Sequence, residues 1–230
     1  MPSLVGSEMC IETALKDGTF RLRNYGYDSY NNCIQWNVKI EPNATLQEAR
    51  IGSEYHNGYT VTNAGTISGG TFYGKVICEA GAVISGGTFK GNAIVNASGG
   101  KVTIEDGTFE EGSYTSGVTV KAAGTLTING GTFKGKRTCS VDIDNCEKIV
   151  INGGSFESSL TDLKRTTEII IINGGLFNDK LYVAGDKCTV NGGLFTTEDD
   201  PLPEGAAING GYFTAERAGL VKIDASKDPC

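Results

Sequence analysis

The sequence predicts an all-β solenoid, a fold in which short strands stack coil upon coil. Three observations support this prediction: a six-residue phrase occurs eight times, strand-like alternation precedes it, and paired glycines interrupt seven of the eight copies. Residues 128–133, Ile-Asn-Gly-Gly-Thr-Phe, are typical of the phrase. The phenylalanines that end successive copies lie 17 to 24 residues apart. A period of about 20 residues with variable insertions is typical of solenoids.

Residues 118–128 show how one coil is built from strands. Val118 and Val120 alternate with polar residues, and after Ala-Ala-Gly at 122–124 the pair Leu126 and Ile128 does the same. Alternation with a period of two indicates strands, and glycine suits corners that need a positive φ. No helical period occurs in residues 61–223. We therefore expect the coils to stack about 4.8 Å apart, because each is too small to bury its own apolar side chains.

Stacking predicts two ladders of identical side chains. The aromatic ladder contains Phe72, Phe89, Phe109, Phe133, Phe156, Phe177, Phe195 and Phe213. The amide ladder, which we expect to be buried, contains Asn129, Asn152, Asn173, Asn191 and Asn209. Such ladders stabilise parallel strands in register. We interpret the Asn-Gly-Gly row as a structural corner, with a ligand groove as the alternative.

The chain divides into residues 1–60 and a parallel β-helix of about eight coils at 61–230. The first region holds the only Trp and the only His, and five of its residues are tyrosines. We interpret it as an N-terminal cap or an attachment module, because an open solenoid end exposes apolar rows and strand edges. Residues 15–20, Leu-Lys-Asp-Gly-Thr-Phe, are a faint copy of the phrase. An irregular start of the solenoid in this region is the alternative.

The recurring phrase Ile-Asn-Gly-Gly-Thr-Phe, with its inner ladders, resembles right-handed single-stranded parallel β-helices. That pectate-lyase-like superfamily includes polysaccharide lyases, phage tailspikes and fibres, and bacterial surface adhesins. The resemblance covers about residues 61–223. It implies the architecture and leaves the activity open, because one fold carries many functions.

The composition of the chain limits the classes of molecule that it is expected to bind. The net charge is −7, and no run of Lys and Arg occurs. This argues against nucleic acid and against insertion into or binding to an anionic membrane. The first residues show no basic segment followed by an apolar run, so we expect no signal peptide. The seven cysteines lack the Cys-x-x-Cys spacing of a zinc site, and pairing among Cys10, Cys33, Cys139, Cys146 and Cys230 stays open.

The candidate binding residues lie on neighbouring coils. Asp142 and Asp144 alternate with apolar residues, so both are expected to point outward, with Lys121 and Tyr182 on nearby rungs. Two carboxylates suit glycoside chemistry, a Ca²⁺ site or a solvated strand face. No Arg accompanies them, and the single His is distant in sequence. We therefore predict no catalytic residue, no metal and no cofactor.

The outer surface supports two further predictions. Val150, Ile169 and Ile171 are expected to form an outward apolar strip, which predicts a contact with another chain. The outward threonines are interrupted, which argues against an ice-binding array. The longest insertions follow the phenylalanines and should emerge on one side of the rod, a frequent binding face.

These observations favour a non-enzymatic structural or adhesive protein. We expect a phage virion component such as a fibre, a tailspike-like protein or a capsid-decorating subunit. The expected partners are other chains, in a homo-oligomer (a trimer by analogy with tailspikes) or a larger virion assembly, with a surface glycan as a further partner. The alternatives are a carbohydrate-binding or carbohydrate-active β-helix protein, and a secreted or cell-surface bacterial adhesin.

Overall fold

The computed structural model describes residues 12–22, 33–53, 58–90, 95–98, 100–110, 119–122, 124–135, 141–144, 146–162, 166–197 and 199–214. Side chains are outside that description at 12, 13, 95–98, 119–122, 142 and 144. The described residues form a parallel β-solenoid with three sheets, which confirms the predicted all-β fold class. The right-handed sense of the coil stays a prediction.

Sheet A contains nine of the described strands. They are β1 (Glu12–Leu15), β3 (Asn37–Ile40), β6 (Thr60–Asn63), β9 (Lys75–Glu79), β12 (Val95–Ser98), β15 (Thr119–Ala122), β18 (Val141–Asp144), β21 (Leu160–Thr161) and β24 (Leu181–Tyr182). A short 3₁₀ helix, Gly185–Lys187, follows β24.

Sheet B contains ten of the described strands. They are β2 (Gly18–Arg21), β4 (Ala44–Glu48), β7 (Thr66–Ile67), β10 (Val83–Ile84), β13 (Lys101–Ile104), β16 (Thr125–Ile128), β19 (Lys148–Ile151), β22 (Ile169–Ile172), β25 (Cys188–Val190) and β27 (Ala207–Ile208).

Sheet C contains nine of the described strands, most of them two residues long. They are β5 (Arg50–Ile51), β8 (Thr71–Phe72), β11 (Thr88–Lys90), β14 (Thr108–Glu110), β17 (Thr132–Phe133), β20 (Ser155–Phe156), β23 (Leu176–Phe177), β26 (Leu194–Phe195) and β28 (Tyr212–Phe213).

Each turn of the coil contributes to the sheets in the order A, B, C, and like positions on successive turns pair in register. In β16, Leu126 and Ile128 are fully buried, whereas Thr125 and Thr127 face outward and are half-buried. The inward residues form one continuous apolar core along the rod. The alternation read from the sequence therefore sets which side chains stabilise the stack.

The phenylalanines stack along the inside, as the phrase predicts. Successive ring centroids lie 4.7–5.0 Å apart with nearly parallel planes. All eight rings are at most 3% exposed. This spacing equals the separation of hydrogen-bonded strands, so every ring contacts the next one without strain.

The asparagine ladder forms, but it is exposed, and the expectation that these amides are buried is wrong. Asn152 donates from Nδ2 to Asn129 Oδ1 at 2.7 Å, and the same bond at 2.8 Å recurs up to Asn209. Glu105 accepts from Asn129 at the start of the ladder, at 2.8 Å. The asparagines follow an inward Ile, and strand alternation directs them outward at the corner between sheets B and C.

The glycines after each asparagine have two separate roles. A Cβ on Gly153 would lie 2.5 Å from the carbonyl oxygen of Asn129 on the rung below. Gly154 has φ +103, a conformation that residues with a side chain rarely adopt. The first glycine therefore permits close stacking of the rungs, and the second permits the turn.

The sheets begin before residue 61. Strand β1 pairs with β3, which pairs with β6, so the boundary drawn after residue 60 falls inside continuous sheets. Phe20, the end of the faint phrase, aligns with Leu46 in sheet B rather than with the phenylalanine stack. The stack is instead preceded by Ile51, which pairs with Phe72. A role of this region in capping or attachment stays a prediction.

Candidate functional site

The four predicted binding residues lie in sheet A, in two neighbouring rows. Asp142 pairs in register with Thr161, and Thr161 pairs with Tyr182. Asp144 pairs with Lys121 in the adjacent row. Thr161 is buried, so it separates the positions of Asp142 and Tyr182. The side chains of Asp142, Asp144 and Lys121 lie outside the described residues, and their joint role as a site stays a prediction.

Tyr182 borders a surface groove at the C-terminal end of sheet A. Its side chain is 52% exposed, and the groove has a volume of about 360 Å³. The floor comes from β24 and the wall from the segment that follows β26, where Leu181 N donates to the Pro201 carbonyl at 2.8 Å. That segment takes the place of a further sheet A strand. The lining includes Lys180, Tyr182, Asp200, Pro201, Pro203 and Glu204.

One ion pair fixes a cation at the groove. Lys180 Nζ lies 2.8 Å from Asp199 Oδ2. The hydrogen bond from Lys180 lowers the pKa of Asp199, and the same bond raises the pKa of Lys180. Both groups are exposed to solvent, so the pair contributes little to stability. Lys180 and Tyr182 both line the groove, so the ion pair places a cation at the same surface as the tyrosine ring.

The carboxylates around the groove differ in their exposure to solvent. Asp162 is buried, and its two oxygens accept the backbone N–H groups of Thr166 and Thr167 at 3.2 and 3.0 Å. It therefore shapes the turn that leads from β21 to β22. Asp200 accepts from Leu202 N at 3.2 Å and remains exposed, as does Glu204. The sequence reading missed these two because they lie in an irregular segment without a repeat.

An exposed aromatic ring beside fixed carboxylates and an ammonium group can bind a polar ligand with an apolar face. Sugars have this character, because their C–H faces pack on aromatic rings and their hydroxyls bond to charged groups. Pockets with a few placed polar groups are the usual small-ligand sites in proteins. The lining of the groove contains both kinds of group, with the Tyr182 ring as the aromatic one.

The four cysteines that the structure describes are packed in the core. Cys33, Cys78, Cys146 and Cys188 are all buried. Burial raises the pKa of Cys78 to about 12 and that of Cys188 to about 11. These thiols stay protonated near neutral pH and are poor nucleophiles. The structure shows no disulfide at Cys33 or Cys146, whereas Cys10, Cys139 and Cys230 lie outside the described residues.

Two apolar strips lie on the outside of the rod. In sheet B, Val150 and Ile171 are half-buried and Ile169 is 46% exposed, at the positions predicted from alternation. In sheet C, the outward position after the glycines holds Leu194 and Tyr212, 43% and 55% exposed. The sequence reading missed this second strip. Its signal was the change from Thr to Leu or Tyr before the phenylalanine in the last three copies of the phrase.

The described residues show neither a metal site nor a membrane-spanning helix. Within the described residues, no group of three or more His, Cys, Asp or Glu side chains is arranged to hold a metal ion. None of the helices in the described part of the chain has the length and apolarity to cross a membrane. No protein-family model matches the chain, and comparisons with curated proteins and with solved structures found no match.

Proposed function

We propose that this protein is a non-enzymatic structural or adhesive rod that acts as a subunit of a larger assembly. The observation that supports it best is the pair of ladders, stacked rings inside and bonded amides outside, along the same axis. Most of the recurring residues stabilise this stack, which makes a stiff and repetitive support. Such a support suits display or attachment, since a solenoid presents an extended surface.

The assembly that we propose is a virion, with the chain as a fibre, a tailspike-like protein or a capsid-decorating subunit. The support is the resemblance of the phrase to parallel β-helices, among them phage tailspikes and fibres. Val150, Ile169 and Ile171 are the contact that we propose for neighbouring subunits, because soluble proteins rarely expose a contiguous apolar strip without a partner. A secreted or cell-surface adhesin is the alternative location.

Particle fractionation tests this proposal. Virions or other assemblies from the source organism are separated on a density gradient, and each fraction is probed with an antibody to the chain. We expect the chain to sediment with particles that contain other structural proteins. Recovery solely as free chain, or solely with cell envelopes, would contradict the virion proposal, and the second result would support the adhesin.

A second candidate function is carbohydrate binding at the Tyr182 groove. The exposed ring, the Lys180–Asp199 pair and the solvent-exposed carboxylates of Asp200 and Glu204 favour it. It is compatible with an adhesive rod, because adhesion requires a ligand on the target surface.

Binding to an array of microbial surface glycans tests this candidate. We expect Tyr182→Ala to reduce the binding of any retained glycan by about tenfold or more, since loss of an aromatic anchor commonly costs more than 1 kcal/mol. Tyr73→Ala is the matched control, because Tyr73 lies on the outer surface of another sheet, beneath the guanidinium of Arg50. Equal losses in both variants, or no glycan bound by the parent, would contradict the assignment.

A further inference from the structure

The outer row of sheet C changes character along the rod. In register, it contains Arg50, Thr71, Thr88, Thr108, Thr132, Ser155, Leu176, Leu194 and Tyr212. Short hydroxyl side chains occupy the middle rungs, and large apolar ones occupy the last three. We call Leu176, Leu194 and Tyr212 the sheet C strip.

The residues next to the sheet C strip along the chain carry no charge. Residues 173–178, 191–197 and 209–214 contain no Asp, Glu, Lys, Arg or His, although the chain as a whole carries a net charge of −7. Interface centres are depleted of charged residues in the same way. The neutral area is therefore where two copies of this acidic chain can approach with the least repulsion.

The polar groups beside the strip already have partners. On one side, the amides of Asn173, Asn191 and Asn209 bond to one another at 2.8 Å. On the other side, Thr196 Oγ1 donates to Asn178 Oδ1 at 2.9 Å. Burying a polar group is costly when it loses hydrogen bonds to water without compensation. Here the bonds run within the chain, so covering this face costs little.

The distance between successive rungs of the sheet C strip indicates which partner fits it. Its rungs repeat every 4.8–4.9 Å, the distance between the stacked rings beneath it. A facing surface stays in contact at each rung when it has the same repeat, and another copy of this solenoid has it. Two identical patches that face each other form a closed pair, whereas a head-to-tail contact continues into a filament.

We propose that the sheet C strip binds a second copy of this chain around a two-fold axis that passes at Leu194. In this arrangement, Leu194 packs against Leu194 of the second copy, and Leu176 packs against the second copy's Tyr212. The contact area is small, so the pair is weak in solution and is strengthened where an assembly concentrates the rods. The inference rests on the proposed structural role only for that last step.

Introducing a charge at residue 194 tests the proposal. The measurement is sedimentation velocity of the isolated full chain over a range of concentrations. We expect a concentration-dependent dimer for the parent. Leu194→Lys and Leu194→Asp, each alone, should raise the dissociation constant by about tenfold or more, because like charges meet at the axis. An equimolar mixture of the two variants should associate again. Thr108→Lys, in the same row four rungs from Leu194, should dimerise like the parent.

Every result of this experiment supports or overturns the inference. A strictly monomeric parent at the highest soluble concentration would overturn it, as would dimers that tolerate both charged variants. Failure of the mixture to associate would overturn the two-fold placement. If either charged variant loses its β-sheet circular dichroism, Tyr212→Gln replaces it, since that ring is already 55% exposed, and it must weaken the dimer. Particle fractionation is a separate test, so failure here leaves its result intact.

Discussion

At the scale of the residue, the position before each glycine pair and the second position after it stabilise the stack in different ways. Asn152 faces solvent and joins two neighbouring rungs through its amide, whereas Phe156 is fully buried and joins them through its ring. The two ladders run along the same axis. They should therefore differ in how much stability each residue contributes.

Truncation of a stacked phenylalanine ring is expected to lower the stability of the fold strongly. Phe133→Ala should lower the free energy of unfolding by about 3–5 kcal/mol, because a fully buried ring leaves a cavity between two neighbours. Chemical denaturation measures this change. Thr132→Ala, the adjacent outward residue, is the control and should cost less than about 1 kcal/mol. Similar losses in both variants would contradict an inward phenylalanine stack.

Removal of an amide from the ladder is expected to be milder. Asn152→Ala should cost about 1 kcal/mol, because two exposed hydrogen bonds are lost and water replaces them. Asn209→Ala loses the one ladder bond that the structure shows for it, so it should cost roughly half as much. Thermal unfolding compares the two. A larger cost at Asn209 would count against additive bonds along the ladder.

The sequence predicted the positions in the ladders better than their environments. The phenylalanines from Phe72 to Phe213 were placed inside from the phrase alone. They occupy the same position in every repeat of about 20 residues, so stacking the coils places them above one another. The exposure of Asn152 was not predicted, because an amide ladder can form on either side of a corner. The groove at Tyr182 was not predicted either, since residues 199–205 follow no repeat.

At the scale of the element, the corner between sheets B and C sets the stacking. Its backbone carbonyls approach the next rung so closely that the first glycine has no room for a side chain. The N-terminal rungs use other sequences at this corner, and for that reason the phrase did not reveal them. Strands β2 and β4 nevertheless pair in the same sheet as β7.

Adding a methyl group at the first glycine of this corner tests how closely the rungs approach each other. Gly153→Ala should destabilise the protein by roughly 1–3 kcal/mol, because the new Cβ would collide with the backbone oxygen of Asn129. Gly58→Ala is the matched control, because a Cβ there meets nothing within 4 Å and the residue has no left-handed φ. Its change should stay within about 0.5 kcal/mol. Equal unfolding midpoints for both variants would contradict the corner geometry.

At the scale of the whole molecule, we expect the rod to bind other molecules without catalytic turnover. Asp142 and Asp144 are the carboxylate pair expected on the outside of a regular strand, and Arg and His are absent from residues 141–144. Catalytic carboxylates usually lie in a concave site that shifts their pKa. We expect no reducing ends or unsaturated products from polysaccharides. Turnover that Asp142→Asn or Asp144→Asn abolishes would establish the carbohydrate-active alternative instead.

The central claim is that the outside of the rod contacts other molecules of a larger assembly. Cross-linking mass spectrometry of the gradient-purified particle is the most direct test. The reactive groups are lysines of the outward-facing sheets, Lys90 in sheet C and Lys101 and Lys148 in sheet B. We expect cross-links from these lysines to other structural proteins of the particle or to further copies of the chain. Cross-links confined to single chains, on particles that contain the protein, would contradict it.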